Sequence, residues 1–501
     1  MKGRFTISFI ACILILSVSF PAENAFAFTE KKITASDADI DDRFGLPLAI
    51  SGNTAIVGAQ RNDDSGSNSG SAYIFEKDEG GAGNWGEVTI LTASDAAAGD
   101  EFGTSVAISG NTAVVGANFN NAIAGSAYIF ERNQGGAGNW GEVKIITGSN
   151  SVAGDSFGIS VAISGDTIVV GASFDDVIGD NSGSVFIFER NQGGAGNWGE
   201  VKKITASDAA DSDLFGTSSA ISGDIVIIGA PLNDVNVADD DAGAAYIFER
   251  NQGGAGNWGE ITKITTSDAT AVDHFGNSVA ISGSTAVAGA PLNDDDGDSS
   301  GSAYIFDKDQ GGVNNWGEVK KIHGSNIGLF SNFGISVGIS GDTVIAGLPN
   351  RNAGLAFIFE RDEGGVDNWG EVTPITSSDG ITGDNFGGSV SISDNLAMVG
   401  GWGNDDDGDK SGSAYIFGLD SNGPDLDGDG TPDSSDPINV ITSDTTLTTN
   451  HTVIGNVIVQ DNVVLTIPDG LTLSIPSGSN ITIQLGGGFL IEFGGTLQVH
   501  S

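Results

Sequence analysis

Five aspartates near the C-terminal end of the sequence stand at a spacing that can bind a cation. Counting Asp425 as position one, Asp425, Asp427, Asp429, Asp433 and Asp436 fall at positions 1, 3, 5, 9 and 12, with Gly430 at position 6 and Thr431 at position 7. That is the oxygen-ligand spacing of a twelve-residue calcium loop. Alternate carboxylates face one centre, Gly430 permits the sharp turn, and Thr431 offers its backbone carbonyl. The expectation is Ca²⁺ held by Asp425, Asp427, Asp429, Thr431, Asp433 and Asp436, and the alternative is an acidic flexible linker. Two further runs, Asn293 to Asp298 and Asn404 to Asp409, place Asp294, Asp296, Asp298 and Asp405, Asp407, Asp409 at alternate positions. Their register matches no standard calcium loop. They are candidates for a ligand or metal, with simple solvation as the alternative.

Other chemistries are thinly supplied. The one cysteine, Cys12, lies in an N-terminal apolar run, and the four histidines, His274, His323, His451 and His500, stand in no recognisable motif. No Ser/His/Asp arrangement, zinc-ligand cluster or phosphate-cradling loop is visible. Catalysis is therefore not expected; an extracellular hydrolase using paired carboxylates is the lesser alternative. With 66 acidic against 20 basic residues, the formal charge is −46. Nucleic acid is excluded as a partner, because phosphate binding needs a basic surface.

Residues 1–27 read as a secretory signal: Lys2 and Arg4, an apolar stretch from Phe5 to Phe20, then Ala25-Phe26-Ala27 as a small-x-small cleavage pattern. The alternative is an uncleaved anchor, for which the run is short. No transmembrane segment is expected in the mature chain, and secretion or cell-surface association follows.

The elements that must position these residues are repeated. Phe-Gly recurs at 44, 102, 157, 215, 275, 333 and 386, at intervals of 53 to 60 residues. Each unit reads as four strands, for example SVAIS, TAVVGA, SAYIF and GEVKIIT, with a Ser-Gly-Asn/Asp-Thr hairpin turn between the first two. Four short antiparallel strands in tandem predict propeller blades. Six units carry Trp-Gly-Glu before the fourth strand, at Trp85, Trp140, Trp198, Trp258, Trp316 and Trp369; the seventh stops at Phe417. Lys31 to Asp37 repeats Lys202 to Asp208 without change. The N-terminal strand is therefore expected to complete the last blade and close the ring.

These units resemble the FG-GAP family, whose repeats form the propeller of integrin α subunits. Gly229-Ala230-Pro231 and Gly289-Ala290-Pro291 preserve the second half of the motif, and Gly347-Leu348-Pro349 nearly does. The resemblance implies an adhesion or ligand-binding module. Integrin calcium loops lie between the first two strands, where this chain has only the short Ser-Gly turn, so those sites are not carried over. The string from Asp425 resembles a single thrombospondin type 3 repeat, a calcium-binding linker of secreted proteins.

The expected organisation is an all-β chain. Residues 28–419 form a seven-bladed propeller, 420–437 a calcium-binding linker, and 438–501 a small β-solenoid-like segment. Strand alternation puts the acidic loops between strands two and three on the same face as the acidic blade-to-blade crossovers. The expected function is a secreted or cell-surface calcium-binding adhesion module, taking an extracellular protein or glycan on this face, with a structural envelope component as the alternative.

Overall fold

The second strand of every unit, such as Thr112–Ala117 (TAVVGA), is apolar after its first residue instead of alternating. A strand reads this way when both of its faces are covered. Here all six of its residues are buried. The computed structural model describes residues 29–419, apart from 236–240 and 326, together with nine strand segments between 438 and 499.

Within Phe28–Asp420 there are seven four-stranded antiparallel sheets. Six are continuous in sequence. The first, for instance, runs through Leu48–Ser51, Thr54–Ala59, Ser71–Lys77 and Trp85–Leu91. The seventh joins Phe386–Ser393, Leu396–Gly401 and Ser413–Gly418 to the N-terminal strand Thr29–Ile33. Thr29 lies opposite Gly418 and Ile33 opposite Ala414. The expected closure is thus present, with one local difference. The outer strand of each continuous blade bulges: Ile187 faces Lys202 but Phe188 faces Glu200, skipping Val201. In the closing strand Lys31 follows Glu30 directly, and the pairing runs without a bulge. The cause is legible in the sequence, which lacks one residue there.

The core lies between blades, in seven clusters. One joins Val185 and Ile187 of the third blade to Phe215, Val226, Tyr246, Phe248 and Trp258 at the fourth. Phe215 meets Tyr246 at 5.4 Å and Phe248 at 6.0 Å, both edge-on, and each such aromatic contributes about 1.5–3 kcal/mol through burial. The Phe of the repeat is therefore an inter-blade plug. Its glycine neighbour packs backbone on backbone: a Cβ on Gly171 would overlap the Gly216 carbonyl oxygen of the next blade.

Two rings of side-chain hydrogen bonds reinforce these contacts. In one, the serine after the fourth strand gives its N–H and hydroxyl to the Glu of the next Trp-Gly-Glu, as Ser94 does to Glu142 at 3.0 and 2.7 Å. The closing strand supplies the seventh acceptor, Glu30, to Ser378. In the other, the hairpin-turn serine of one blade accepts the turn N–H of the next, from Ser51 with Gly110 at 3.1 Å round to Ser393 with Gly52 at 3.0 Å.

In the C-terminal portion, Ile438–Ile441 pairs in parallel with Asn456–Val459, which pairs with Ile481–Ile483. Two more parallel three-stranded sheets repeat the arrangement, so each sheet takes one strand from each of three successive turns of chain. Residues 1–27 and 420–437, which carry the signal and linker expectations, lie outside the described residues. No helix among the described residues is long and apolar enough to cross a membrane.

Candidate functional site on the acidic loop face

The loop between strands two and three of each blade is clasped to the crossover that follows. In the fifth blade, Phe330, Asn332 and Phe333 give their N–H groups to the carbonyls of Asp298, Ser299 and Ser300, at 2.7, 3.1 and 3.0 Å. In the seventh, Asp41, Arg43 and Phe44 do the same to Asp409, Lys410 and Ser411. The two acidic loop classes therefore share one face, as the strand alternation implied. The residue before each repeat Phe is left-handed, with φ between 53° and 59° at Arg43, Glu101, Ser156, Leu214, His274, Asn332 and Asn385. The clasp constrains its backbone and leaves its side chain free to vary, which accounts for His274.

The acids of these loops have separate tasks. Asp294 Oδ1 accepts the Ser299 N–H at 2.8 Å and Asp405 Oδ1 the Lys410 N–H at 2.9 Å, so both brace their own loops. Asp296 stands 3.3 Å from His323 Nδ1. Asp298 and Asp409 serve the clasp through their carbonyls, and Asp407 is exposed. No three acidic, His or Cys side chains converge to hold a metal among the described residues. The turns between the first two strands hold none of the integrin-type ligands either; their serines are used by the neighbouring turns.

Deeper in the face the blades carry an ion-pair device that the sequence reading missed. Lys321 bonds Asp268 of the crossover at 2.7 Å, Asn293 at 3.2 Å, and Asp295 of the loop. Lys32 bonds Asp379, Asn404 and Asp406 in the same way. Lys263 bonds Asp208 at 2.8 Å and Asn233 at 2.6 Å. Each crossover aspartate also accepts a tyrosine hydroxyl: Tyr304 for Asp268, Tyr415 for Asp379 and Tyr246 for Asp208. Burial raises these carboxyls, but the ammonium and hydroxyl more than offset it, and all three titrate below the usual range.

Where the tyrosine is absent its crossover partners change with it. Phe186 and Phe357 replace it, and glycine stands at 148 and 324, where a Cβ would strike the ring. Asn150 and Asn326 then take the place of the aspartate. This substitution of three residues together was available in the sequence as an internal correlation between repeats.

The first blade keeps both acids and lacks the lysine. Asp37 accepts the Tyr73 hydroxyl at 2.8 Å, Asp64 occupies the place of Asp295, and Ile90 stands where the third, fourth, fifth and seventh blades have Lys. The Asp64 carboxyl is raised, first by its hydrogen bond with Asp37, then by burial and by the charge of Asp37. Ile90→Lys is expected to seat an ammonium between the two carboxylates and raise stability at pH 7 by about 1 kcal/mol. Thermal melting at low and high salt checks this, since the gain must shrink with salt.

Nearby, Asp42 is 2% exposed and caps the turn by accepting the Asp39 N–H at 2.9 Å. Burial pushes its carboxyl from 3.8 up to about 6, with Asp37 and Asp39 adding to the shift. A carboxyl raised on folding binds more protons in the native state between those values, so its contribution to stability falls as pH rises through that window. Asp42→Asn removes this loss. Relative to the native chain, the variant should gain stability from pH 4 to pH 7, by at most roughly 3 kcal/mol and less as water screens the group. Melting both chains at the two pH values tests it; a difference that does not change with pH would refute the assignment.

Sequence comparison decides what these blades are. Residues 28–75, 85–130, 140–188, 198–248, 258–306 and 369–417 each match the FG-GAP repeat. The chain belongs to the FG-GAP repeat family. Each match runs from an outer strand to the third strand of the following blade, so the sequence unit straddles two FG-GAP blades, and the first match contains the closing strand. The first three strands of the sixth blade fall between matches and its outer strand opens the last one, yet it pairs its four strands like the rest. No curated protein sequence matches the chain. FG-GAP propellers are typical of integrin-like ligand-binding modules.

Proposed function

We propose that this FG-GAP propeller is a secreted or cell-surface module that binds an extracellular protein or glycan through its acidic loop face, and that it acts by adhesion instead of catalysis. One observation carries the reading. The clasps, plugs and staples repeat almost unchanged from blade to blade, while the loops they hold on that face differ in length and composition. A rigid frame presenting variable loops is the usual arrangement for recognition. Screening the full chain against glycans and extracellular proteins tests it. Binding that weakens when the exposed loop acids Asp176, Asp180, Asp211, Asp296, Asp298, Asp407 and Asp409 become Asn together supports the reading; binding indifferent to these changes, or turnover of a substrate, overturns it.

Calcium belongs to this proposal at the linker. Its support is the ligand spacing of Asp425, Asp427, Asp429, Thr431, Asp433 and Asp436. Asp425→Ala with Asp429→Ala is expected to remove one Ca²⁺ equivalent from an isothermal titration of the full chain. Unchanged stoichiometry would exclude the site.

A further inference from the structure

Acidity is only half of the loop face. Among the described residues thirteen large apolar side chains are exposed, and eleven of them lie in loops of this face; Val313 and Val366 alone lie opposite. Six of the eleven gather on the second and third blades: Phe119, Ile123, Val152, Phe174, Val177 and Ile178, each 40 to 62% exposed. Backbone hydrogen bonds join the three segments that carry them. The Ile123 carbonyl accepts the N–H groups of Gly154 at 3.3 Å and Ser156 at 2.9 Å, and Phe174 gives its N–H to Asp155 at 3.3 Å. Phe119 and Ile123 sit four residues apart on the one helical turn among the described residues, Asn120–Ile123 with its preceding residue. The apolar side chains thus form one sector and are not scattered singly, the arrangement that marks an interaction surface.

The charge around the sector identifies what covers it. The second-blade loop from Asn118 to Ala124 carries no carboxylate, so the ring of acids is interrupted here. Exposed Asp176, Asp180 and Asp211 border the gap. Lys203, the lysine of the third blade, is spent on buried Asp175 at 2.6 Å and shows little of its side chain. Asp176 and Asp211 each accept one loop N–H through Oδ1, and all three carboxylates stay exposed to solvent. An apolar sector edged by exposed carboxylates complements a surface with apolar side chains set among basic ones. A polyanion is repelled, and a neutral glycan leaves the aliphatic side chains poorly matched.

We propose that the loops of the second and third blades, centred on Phe174, Val177 and Ile178, bind a basic protein segment through its apolar side chains, with the bordering aspartates taking its charges. This rests on the ligand-binding reading above and narrows it to one sector and one partner chemistry. The test uses the full chain and two probes of equal length, a Lys/Leu amphipathic peptide and poly-Lys, followed by fluorescence anisotropy. The native chain should bind the Lys/Leu peptide more tightly than poly-Lys. Phe174→Ser with Val177→Ser and Ile178→Ser should weaken the Lys/Leu peptide at least tenfold and leave poly-Lys unchanged. Val313→Ser with Val366→Ser, on the opposite face, should change neither. Ile178→Lys, a single exposed change that keeps the loop, should also weaken the Lys/Leu peptide. Equal affinity of native and sector variants for the Lys/Leu peptide overturns the sector, while retained salt-sensitive poly-Lys binding leaves the acidic face standing. If neither probe binds at low salt, the sector proposal falls, and the wider reading stands or falls by the screen of glycans and extracellular proteins.

Discussion

A chain that begins at residue 39 is expected to melt well below one that begins at residue 28, because it lacks the strand that closes the ring. The loss is more than five backbone pairings. Ile33 leaves the cluster it shares with Phe44, Ala414 and Ile416. The Ser378 staple loses Glu30, Ser36 no longer reaches Glu87, and Tyr73 loses Asp37. Asp379 and Asp406 lose the Lys32 ammonium and are left facing each other's charge. Burial of one large aliphatic side chain contributes about 2 kcal/mol and each strong hydrogen bond about 1. The sum is at least about 5 kcal/mol, which in a unit of this size lowers the melting temperature by roughly 5–10 °C. Calorimetry on the two chains measures it. A synthetic peptide of residues 28–38 should restore part of the difference by adding its strand to the exposed edge. Equal melting temperatures would mean that the seventh blade holds without its outer strand.

The second large effect concerns the glycine before the third strand. Gly125 has φ +82°, and a Cβ there would overlap the carbonyl oxygen of Phe157 in the next blade and come within 2.6 Å of its nitrogen. Gly125 and Phe157 form a parallel bridge between blades, repeated at five other junctions. Neither backbone can retreat, since Phe157 is fully buried against Phe186 and Phe188. Gly125→Ala should therefore cost 3 kcal/mol or more, at about the level of losing a buried aromatic. Gly165 is the control. It too is left-handed, at φ +56°, but nothing stands within 4 Å of a Cβ. Its replacement by Ala should cost only about 1 kcal/mol, the backbone strain alone. Urea unfolding of both variants separates steric overlap from conformational strain; equal losses would show that the bridge contributes little.

Much of the architecture could be read before any coordinates. Blade number followed from seven Phe-Gly pairs, because each plugs one junction of the ring. Closure followed from the match of Lys31–Asp37 to Lys202–Asp208, because an outer strand without its blade has one place to go. Sharing of a face by the two acidic loop classes followed from strand alternation alone. The site was less legible. Asp294 and Asp405 look like free ligands in the sequence, yet their carboxylates are occupied by N–H groups five residues on. The lysine bridges were missed because Lys321 and its partners Asp268 and Asp295 are 53 and 26 residues apart. Only the fold says that these segments meet.

What the sequence by itself determined is therefore the repeat and the closed ring. Period, turn chemistry and continuous apolar strands are local properties, and seven copies of one local rule build one global shape. The tertiary structure alone decided which acids are braced, which are paired, and that the first blade keeps Asp37 and Asp64 without a lysine. It also decided that Phe119, Val152 and Phe174, from three separate segments, come to one exposed sector. Charge and exposure are properties of neighbourhoods, and each neighbourhood on this face is assembled from loops of adjacent blades that are distant along the chain.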